Sequence, residues 1–269
     1  MKAMVAVSAV VALGLAAGCS SGGGVPSGSG GSGRPGGGRG EGKDSGETVR
    51  VLSPAQLRHV ELGPREVPGF LIERASALAA GGGRPRTDSE PCRPLVDALG
   101  SQPSPAPAAS VVNTFAKARE DQHFEGLLGM IRVSTYGRDG ASATVDGLRS
   151  AARACAHGFR MRTGEGEQQK FESVRALPAP ELGEDAVAYR LENATDRAPS
   201  LITVVRSGST LSMFFATSLS DPDGVEIPPE LVRAQVAKVE RAEKKAPTVP
   251  PPPSTPGPGE GGEAGDSVG

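Results

Sequence analysis

The chain has 269 residues and a formal net charge of -2, so it lacks the overall positive field with which nonspecific nucleic-acid-binding proteins attract phosphate. Its 38 glycines and 24 prolines are concentrated toward the two ends, which leaves residues 47–245 as a single candidate folded domain. With no tryptophan and 3% aromatic residues, the core of that domain has to be filled by Leu, Val, Ile and Ala.

Residues 1–18 have the pattern of an export signal. Lys2 is followed by an uncharged apolar stretch, Ala3–Ala17, which is too short to span a bilayer comfortably. The sequence Leu15-Ala16-Ala17-Gly18-Cys19 resembles a bacterial lipobox, although Ala16 stands where leucine is usual. We expect cleavage before Cys19 and lipidation of Cys19, which would anchor the protein at the extracytoplasmic face of the cell membrane. A plain cleaved signal peptide with an incidental cysteine is the alternative.

Two low-complexity segments flank the candidate domain. Residues 19–46 are rich in Gly and Ser, and we expect a flexible tether with a root-mean-square span of about 30 Å. Residues 246–269 are a proline run followed by Gly and Glu, and we expect a disordered, solvated tail. Gly257, Gly259 and Gly262 formally match the G-x-G-x-x-G fingerprint, but no strand pattern precedes them, so no cofactor is predicted there.

The first half of the domain shows helix and strand patterns in turn. They predict a helix over Pro54–Leu62 capped by Ser53, a strand over Pro68–Arg74, a helix capped by Asp88 or Ser89 and ended by Gly100, and strands over Ser110–Lys117 and Leu127–Tyr136 joined by a turn at Asp121 and Gln122. Cys92 and Leu95 lie on one apolar face of the second helix.

The second half opens with the clearest periodic signal in the chain. Apolar residues at spacings of four and three predict an amphipathic helix with Cys155 on its inner face: Ala141, Val145, Leu148, Ala152, Cys155 and Phe159. Further patterns predict strands over Lys170–Leu177, Ala186–Glu192, Leu201–Arg206 and Thr210–Ser218, a hairpin turn at Ser207-Gly208, and a final helix from Pro228-Pro229 with Val232, Val236 and Val239 on one face. This order predicts an α+β domain in which helices pack mainly on one face of an antiparallel or mixed sheet.

Three cysteines are present, and lipidation of Cys19 would leave Cys92 and Cys155 as an even pair in an oxidising compartment. We expect a disulfide between them that joins the two predicted helices. Two separate buried thiols are the alternative. A metal site is disfavoured because the sequence has no C-x-x-C pair.

No catalytic motif stands out. The histidines His59, His123 and His157 have no metal-ligand spacing and are expected at the surface or at helix ends. His157 follows Cys155 closely, but a thiol held in a disulfide cannot act as a nucleophile.

Two further short patterns have ordinary explanations. Glu181, Glu184 and Asp185 form an acidic loop that could supply paired carboxylates, although an acidic turn before a strand is usually only solvated. Asn193-Ala194-Thr195 matches a glycosylation sequon, which carries little weight in a bacterial protein.

Several short motifs, taken in their order, resemble a known family. They are Pro91-Cys92-Arg93-Pro94-Leu95, Ala151-Ala152-Arg153-Ala154-Cys155, Gly183-Glu184-Asp185-Ala186 and Val204-Val205-Arg206-Ser207-Gly208. Over about Pro54–Glu240 the chain resembles the PknH-type extracellular sensor domain of bacterial receptor serine/threonine kinases and its stand-alone actinobacterial lipoprotein relatives. The resemblance implies an α+β domain, a groove between helices and sheet for an unidentified ligand, and conserved disulfide positions, of which this sequence supplies one pair.

Two classes of function follow. The first is a noncatalytic envelope module without a cofactor, which binds a small apolar or cell-wall-derived ligand, or an envelope protein, in that groove. The chain contains no kinase domain, so a signalling role would need a partner. The alternative is an extracytoplasmic hydrolase whose active site is assembled from residues that lie far apart in the sequence.

Overall fold

The structure is a computed structural model that describes residues 49–75, 83–100, 103–118, 124–137, 139–194, 198–246 and 248–249. The predicted signal peptide, Cys19, the tether, the turn at Asp121 and Gln122, His123 and the glycine motif at residues 257–262 lie outside these ranges. The domain boundaries at residues 18 and 46 therefore stay predictions.

The described residues form an eight-stranded antiparallel sheet and a separate two-stranded pair. The strands are β1 (Val49–Arg50), β2 (Phe70–Arg74), β3 (Ala109–Ala118), β4 (Phe124–Thr135), β5 (Phe159–Arg162), β6 (Gln168–Leu177), β7 (Asp185–Asn193), β8 (Ser200–Ser207), β9 (Thr210–Ser218) and β10 (Thr248–Val249). The large sheet has the order β2-β3-β4-β9-β8-β7-β6-β5, and every neighbouring pair is antiparallel. The α+β class and the antiparallel sheet are confirmed.

Each helix predicted from the sequence is present. The helices are α1 (Pro54–Val60), α2 (Arg93–Leu99, preceded by a 3-10 turn at Glu90–Cys92), α3 (Gly140–Ala154) and α4 (Pro229–Glu243). The predicted cap of α1 forms a capping box, because the Ser53 hydroxyl accepts from the Gln56 backbone N–H at 3.3 Å and the Gln56 side chain accepts from the Ser53 N–H at 2.8 Å.

The helices cover both faces of the sheet, which differs from the expectation that they lie mainly on one. Helices α2 and α3 pack on the face that contains Tyr136, Leu191, Ile202 and Val204, which we call the disulfide face. Helices α1 and α4 pack on the opposite face, over Ile131, Leu201, Val205 and Phe214.

The central strands explain this arrangement. Successive side chains of a strand point to opposite faces, so Leu201 and Ile202 of β8 enter different cores. Leu201 and Ile202 are each 2% exposed or less. Helices on only one face of the sheet would leave the apolar side chains of the other face in water. The nearly continuous apolar runs Leu201–Val205 and Leu211–Ala216 are the sequence signal for strands buried on both faces.

Helix α3 ends earlier than its apolar periodicity predicts. Cys155 is its C-cap, and Phe159 belongs to β5, a strand that the sequence patterns did not predict. The chain turns at Gly158, whose φ is 90° and where a Cβ would lie 2.2 Å from the carbonyl oxygen of Phe171. Phe159 still enters the core, with its ring centroid 4.9 Å from that of Phe171.

The described fold continues past residue 245. Ala246 is 6% exposed and packs with α1 and α4, and β10 pairs with β1 through Val49 with Val249 and Arg50 with Thr248. The two ends of the domain therefore lie side by side.

Candidate functional site

A cleft of about 430 Å³ opens on the disulfide face of the sheet, beyond the C-terminal end of α2. Strands β3 to β9 and the end of α2 contribute to its walls, with apolar and polar side chains that include Leu99, Met130, Arg132, Met161, Phe171 and Thr217. Its size lies within the range of small-molecule sites, about 300–1,000 Å³. The structure therefore has a concavity on this face, but among the described helices it lies between the sheet and the end of α2 alone, rather than between several helices and the sheet.

Arg132 supplies a buried positive charge to this cleft. Its side chain donates to the carbonyl oxygens of Ala98 at 3.2 Å and Gly100 at 2.6 Å, and its guanidinium carbon lies 5.6 Å from the centre of the Phe215 ring. Burial lowers the pKa of Arg132, because desolvation disfavours the charged form. The two carbonyls belong to the last turn of α2 and its C-cap, where the helix dipole is negative.

The rim of the cleft depends on close contacts between backbones. A Cβ on Gly164, in the β5–β6 turn, would lie 2.4 Å from the Gly83 carbonyl oxygen, and a Cβ on Gly83 would lie 2.5 Å from the Gly164 carbonyl oxygen. A Cβ on Gly100 would lie 2.4 Å from the ring of Pro85. Only glycine allows these approaches, so the segment that contains Gly83 and Pro85 is wedged between α2 and the turn.

An ion pair also connects this segment to α2. Asp97 is 2% exposed, its Oδ2 lies 3.8 Å from Nη2 of Arg84, and its Oδ1 has no hydrogen-bond partner in the described part of the chain. Burial raises the pKa of the Asp97 carboxyl, and the charge of Arg84 opposes that shift. Helix α2 therefore contains a buried acid at some energetic cost, although Asp97 does not itself line the cleft.

The predicted disulfide between Cys92 and Cys155 is confirmed, and the alternative of two separate thiols is wrong. The two Cα atoms are 5.9 Å apart, and both residues are buried in the core of the disulfide face. The bond joins the 3-10 turn before α2 to the C-cap of α3. It thereby holds α2, whose far end forms one wall of the cleft.

Of the histidines that the structure describes, neither His59 nor His157 lines the cleft. His59 and His157 are exposed, as expected. Within the described ranges, no three residues of the types His, Cys, Asp and Glu are grouped so that they could hold a metal ion.

The acidic loop is held in ion pairs with two different elements. Glu184 accepts from Arg206 at 2.6 Å and from the backbone N–H of Gly208 at 3.0 Å, at the β8–β9 hairpin. Asp185 accepts from Arg149 of α3. Both carboxylates therefore have structural partners, and Glu181 is exposed. Of the sequon, Asn193 lines the cleft and Thr195 lies outside the described residues.

Sequence reasoning missed Arg132. A signal was available in the local sequence. Arg132 stands between Ile131 and Val133, in a strand whose side chains are expected to be apolar on both faces of the sheet. An isolated cation in such a pattern indicates either a sheet face open to water or a charge with a function.

No helix of the described residues is long and apolar enough to cross a membrane. No family model matches the sequence, and no curated protein matches it. Among solved structures, the chain is similar to the extracellular domain of PknH from Mycobacterium tuberculosis, with 12% identity over 73% of this chain and 99% of that one and a TM-score of 0.46. An uncharacterised protein from Mycobacterium smegmatis has 15% identity over 71% of this chain and 94% of that one, with a TM-score of 0.29. The first is the type of domain that the sequence motifs resemble.

Proposed function

We propose that this chain is a noncatalytic, extracytoplasmic module of the cell envelope, anchored by lipid on Cys19, that binds a small molecule in the cleft beside Arg132. The observation that carries the proposal is the cleft itself, a concavity of about 430 Å³ that combines apolar side chains with one buried cation. Such a combination is characteristic of small-molecule sites, in which apolar surface contributes affinity and a few polar groups fix orientation.

The environments of the candidate catalytic residues favour binding over catalysis. The candidate thiol Cys155 is in a disulfide, and the carboxylates of Glu184 and Asp185 are engaged by arginines. A general acid or base needs a proton-transferring group within hydrogen-bond reach of the substrate. The acidic residue that lines the cleft, Glu165, is exposed on the β5–β6 turn.

The disulfide supports a location outside the cytoplasm. Disulfides persist in oxidising compartments and are reduced in most bacterial cytoplasms. Together with the export signal predicted at residues 1–18, the bond between Cys92 and Cys155 favours the envelope as the place of action.

Native mass spectrometry of the full chain, extracted in detergent from its own membrane, tests the binding proposal. We expect a retained small ligand, and we expect Thr217→Trp to abolish it because an indole at this position on β9 would obstruct the cleft. Ala176→Trp, at an exposed strand position outside the cleft, is the matched control. A wild-type chain that retains nothing and binds no compound from envelope extracts would contradict the proposal, and turnover of a bound compound would favour the hydrolase alternative.

A fractionation experiment tests the anchor. We expect Cys19→Ala to move the protein from the membrane to the soluble fraction, because a cysteine thiol is needed to accept the diacylglyceryl group. Ser27→Ala, in the same predicted tether, should stay with the membrane. Equal membrane association of the two variants would show that Cys19 is not the anchor.

A further inference from the structure

The guanidinium of Arg132 has more N–H donors than the described residues accept. The side chain is buried, with a residue exposure of 4%, and no carboxylate of the described residues lies within ion-pair distance of it. A guanidinium carries five N–H donors, and the carbonyl oxygens of Ala98 and Gly100 accept two of them. The C-terminal end of α2 offsets only about half of an elementary charge.

This leaves a partly desolvated cation facing a cleft. A buried charge is costly unless it is paired and hydrogen-bonded, so the inner end of the cleft favours a ligand that brings a negative charge. Glu165 does not fill that role, since it is exposed on the turn at the rim and forms no ion pair with Arg132.

An apolar track leads outward from Arg132. Arg132, Met130 and Leu128 occupy alternate positions of β4, so their side chains point to the same face of the sheet. Across the strand pair, Leu128 is opposite Thr217 of β9, and Leu219 follows at the rim. Exposure rises from 4% at Arg132 to 37% at Leu128 and 66% at Leu219.

The track has the length of a medium alkyl chain. Leu128 lies four positions before Arg132 along β4, which is about 13 Å at the usual rise of a strand. Met130 and Met161 both line the cleft, and methionine side chains adapt to apolar ligands of irregular shape. Large apolar side chains exposed beside a pocket are typical of ligand-binding grooves.

We propose that the ligand is an amphiphile with one anionic group, held with its anionic head against Arg132 and its apolar chain along β4 and β9 toward Leu128 and Leu219. This inference rests on the proposed function of the cleft and specifies its ligand class. Carboxylate and phosphate head groups share the required chemistry, because both accept paired N–H donors from a guanidinium.

Four probes with the same dodecyl chain test the inference: dodecanoate, dodecyl phosphate, dodecanol and dodecyltrimethylammonium, titrated calorimetrically into the full chain below their micellar concentrations. We expect one or both anions to bind about tenfold more tightly than the alcohol, and the cation to bind most weakly, because a charge-assisted hydrogen bond forms only with the anions. The stronger of the two anions identifies the head group.

Variants of Arg132 separate a binding role from a structural one. Arg132→Gln should reduce the preference for anion over alcohol to about twofold or less, whereas Arg132→Lys, which keeps the charge, should retain part of it. Loss of helix capping alone would weaken all four probes together and leave the preference unchanged. Should Arg132→Gln fail to fold, the wild-type preference and the Arg132→Lys result still decide the question.

The outcomes distinguish this inference from the proposed function. Equal binding of dodecanoate, dodecyl phosphate and dodecanol by the wild type would overturn the inference that the ligand has an anionic head group. It would not contradict the proposal that the cleft binds a small molecule. Binding that survives Thr217→Trp would place the probes elsewhere and overturn both. Failure of all four probes to bind would overturn the proposal of an amphiphilic ligand. The native mass spectrometry experiment would still test whether the cleft binds a small molecule.

Discussion

Cys92 and Cys155 are 63 positions apart in the sequence and are joined by a disulfide that fastens the turn before α2 to the end of α3. Helix α2 has only seven residues, too few for a helix to be stable in water by itself. Its position depends on the disulfide, on packing against α3 and on the bonds that Arg132 donates to its last carbonyls. Helix α2, whose C-terminal end forms one wall of the cleft, is therefore held at both of its ends.

Removing this disulfide should destabilise the whole domain. For the double variant Cys92→Ala and Cys155→Ala, we expect the free energy of unfolding to fall by up to about 4 kcal/mol, because the bond restricts the unfolded chain over a long loop. Urea denaturation of the oxidised wild type and the variant measures the difference. A loss below about 1 kcal/mol would mean that the disulfide contributes little to the stability of the fold.

Closing the rim depends on Gly164. We expect Gly164→Ala to lower the free energy of unfolding by about 1–3 kcal/mol, because the new methyl group would overlap the Gly83 backbone, which cannot rotate away. The variant should also weaken ligand retention, since the rim has to open. Gly137→Ala, at an exposed position where an added Cβ meets nothing within 4 Å, is the control. Equal stability of the two variants would contradict the close contact.

The attachment of α4 to α1 includes a buried hydrogen bond. Gln235 is 1% exposed, and its Nε2 donates to the carbonyl oxygen of Val60, in the last turn of α1, at 2.8 Å. We expect Gln235→Leu to lower the free energy of unfolding by about 1–3 kcal/mol, because it leaves that carbonyl buried without a donor. Gln168→Leu, on the exposed side of β6, should have little effect in the same urea titration. A neutral or stabilising Gln235→Leu would show that the bond is replaceable by apolar packing.

Glu243 should make stability depend on pH. Its carboxylate accepts from the hydroxyls of Thr210 and Ser209, and burial raises its pKa above the ordinary value, with Glu184 adding to the shift and Arg50 and the two hydroxyls opposing it. The folded state therefore binds this proton more strongly than the unfolded state. The resulting stability is fully present below the unfolded pKa and is lost as the pH rises through the folded pKa.

The variant Glu243→Gln removes this titration. Its free energy of unfolding relative to the wild type should rise between pH 4 and pH 8. Only the wild type has a buried carboxyl at this position, which must either ionise without full solvation or keep its proton above its ordinary pKa. Urea denaturation at several pH values checks this, with the exposed Glu172→Gln as the control. A constant difference over the range would show that Glu243 titrates alike in both states.

Local sequence patterns predicted most of the secondary structure. The Ser53 cap, the spacing from Ala141 to Ala152 and the Ser207-Gly208 hairpin are all found, because each depends on residues within a few positions of one another. The error at Phe159 has the same origin: its spacing continued the helix period, but the contact of Gly158 with the Phe171 carbonyl comes from another strand. A periodic pattern contains no information about such a contact.

The sequence by itself determined the α+β class and the four helices, since hydrophobic periodicity is a property of the chain alone. It predicted the pairing of Cys92 with Cys155 only on the expectation that Cys19 is lipidated, and the structure decided between the disulfide and two separate thiols. Only the tertiary structure decided that two helices cover each face and that Arg132 lies in a cleft. Strands β4 and β9 are neighbours in the sheet but lie far apart in the chain, and α2 ends over the face to which Arg132 points. The environment of a side chain is set by packing of distant segments, and this packing converted an isolated arginine in an apolar strand into a candidate anion site.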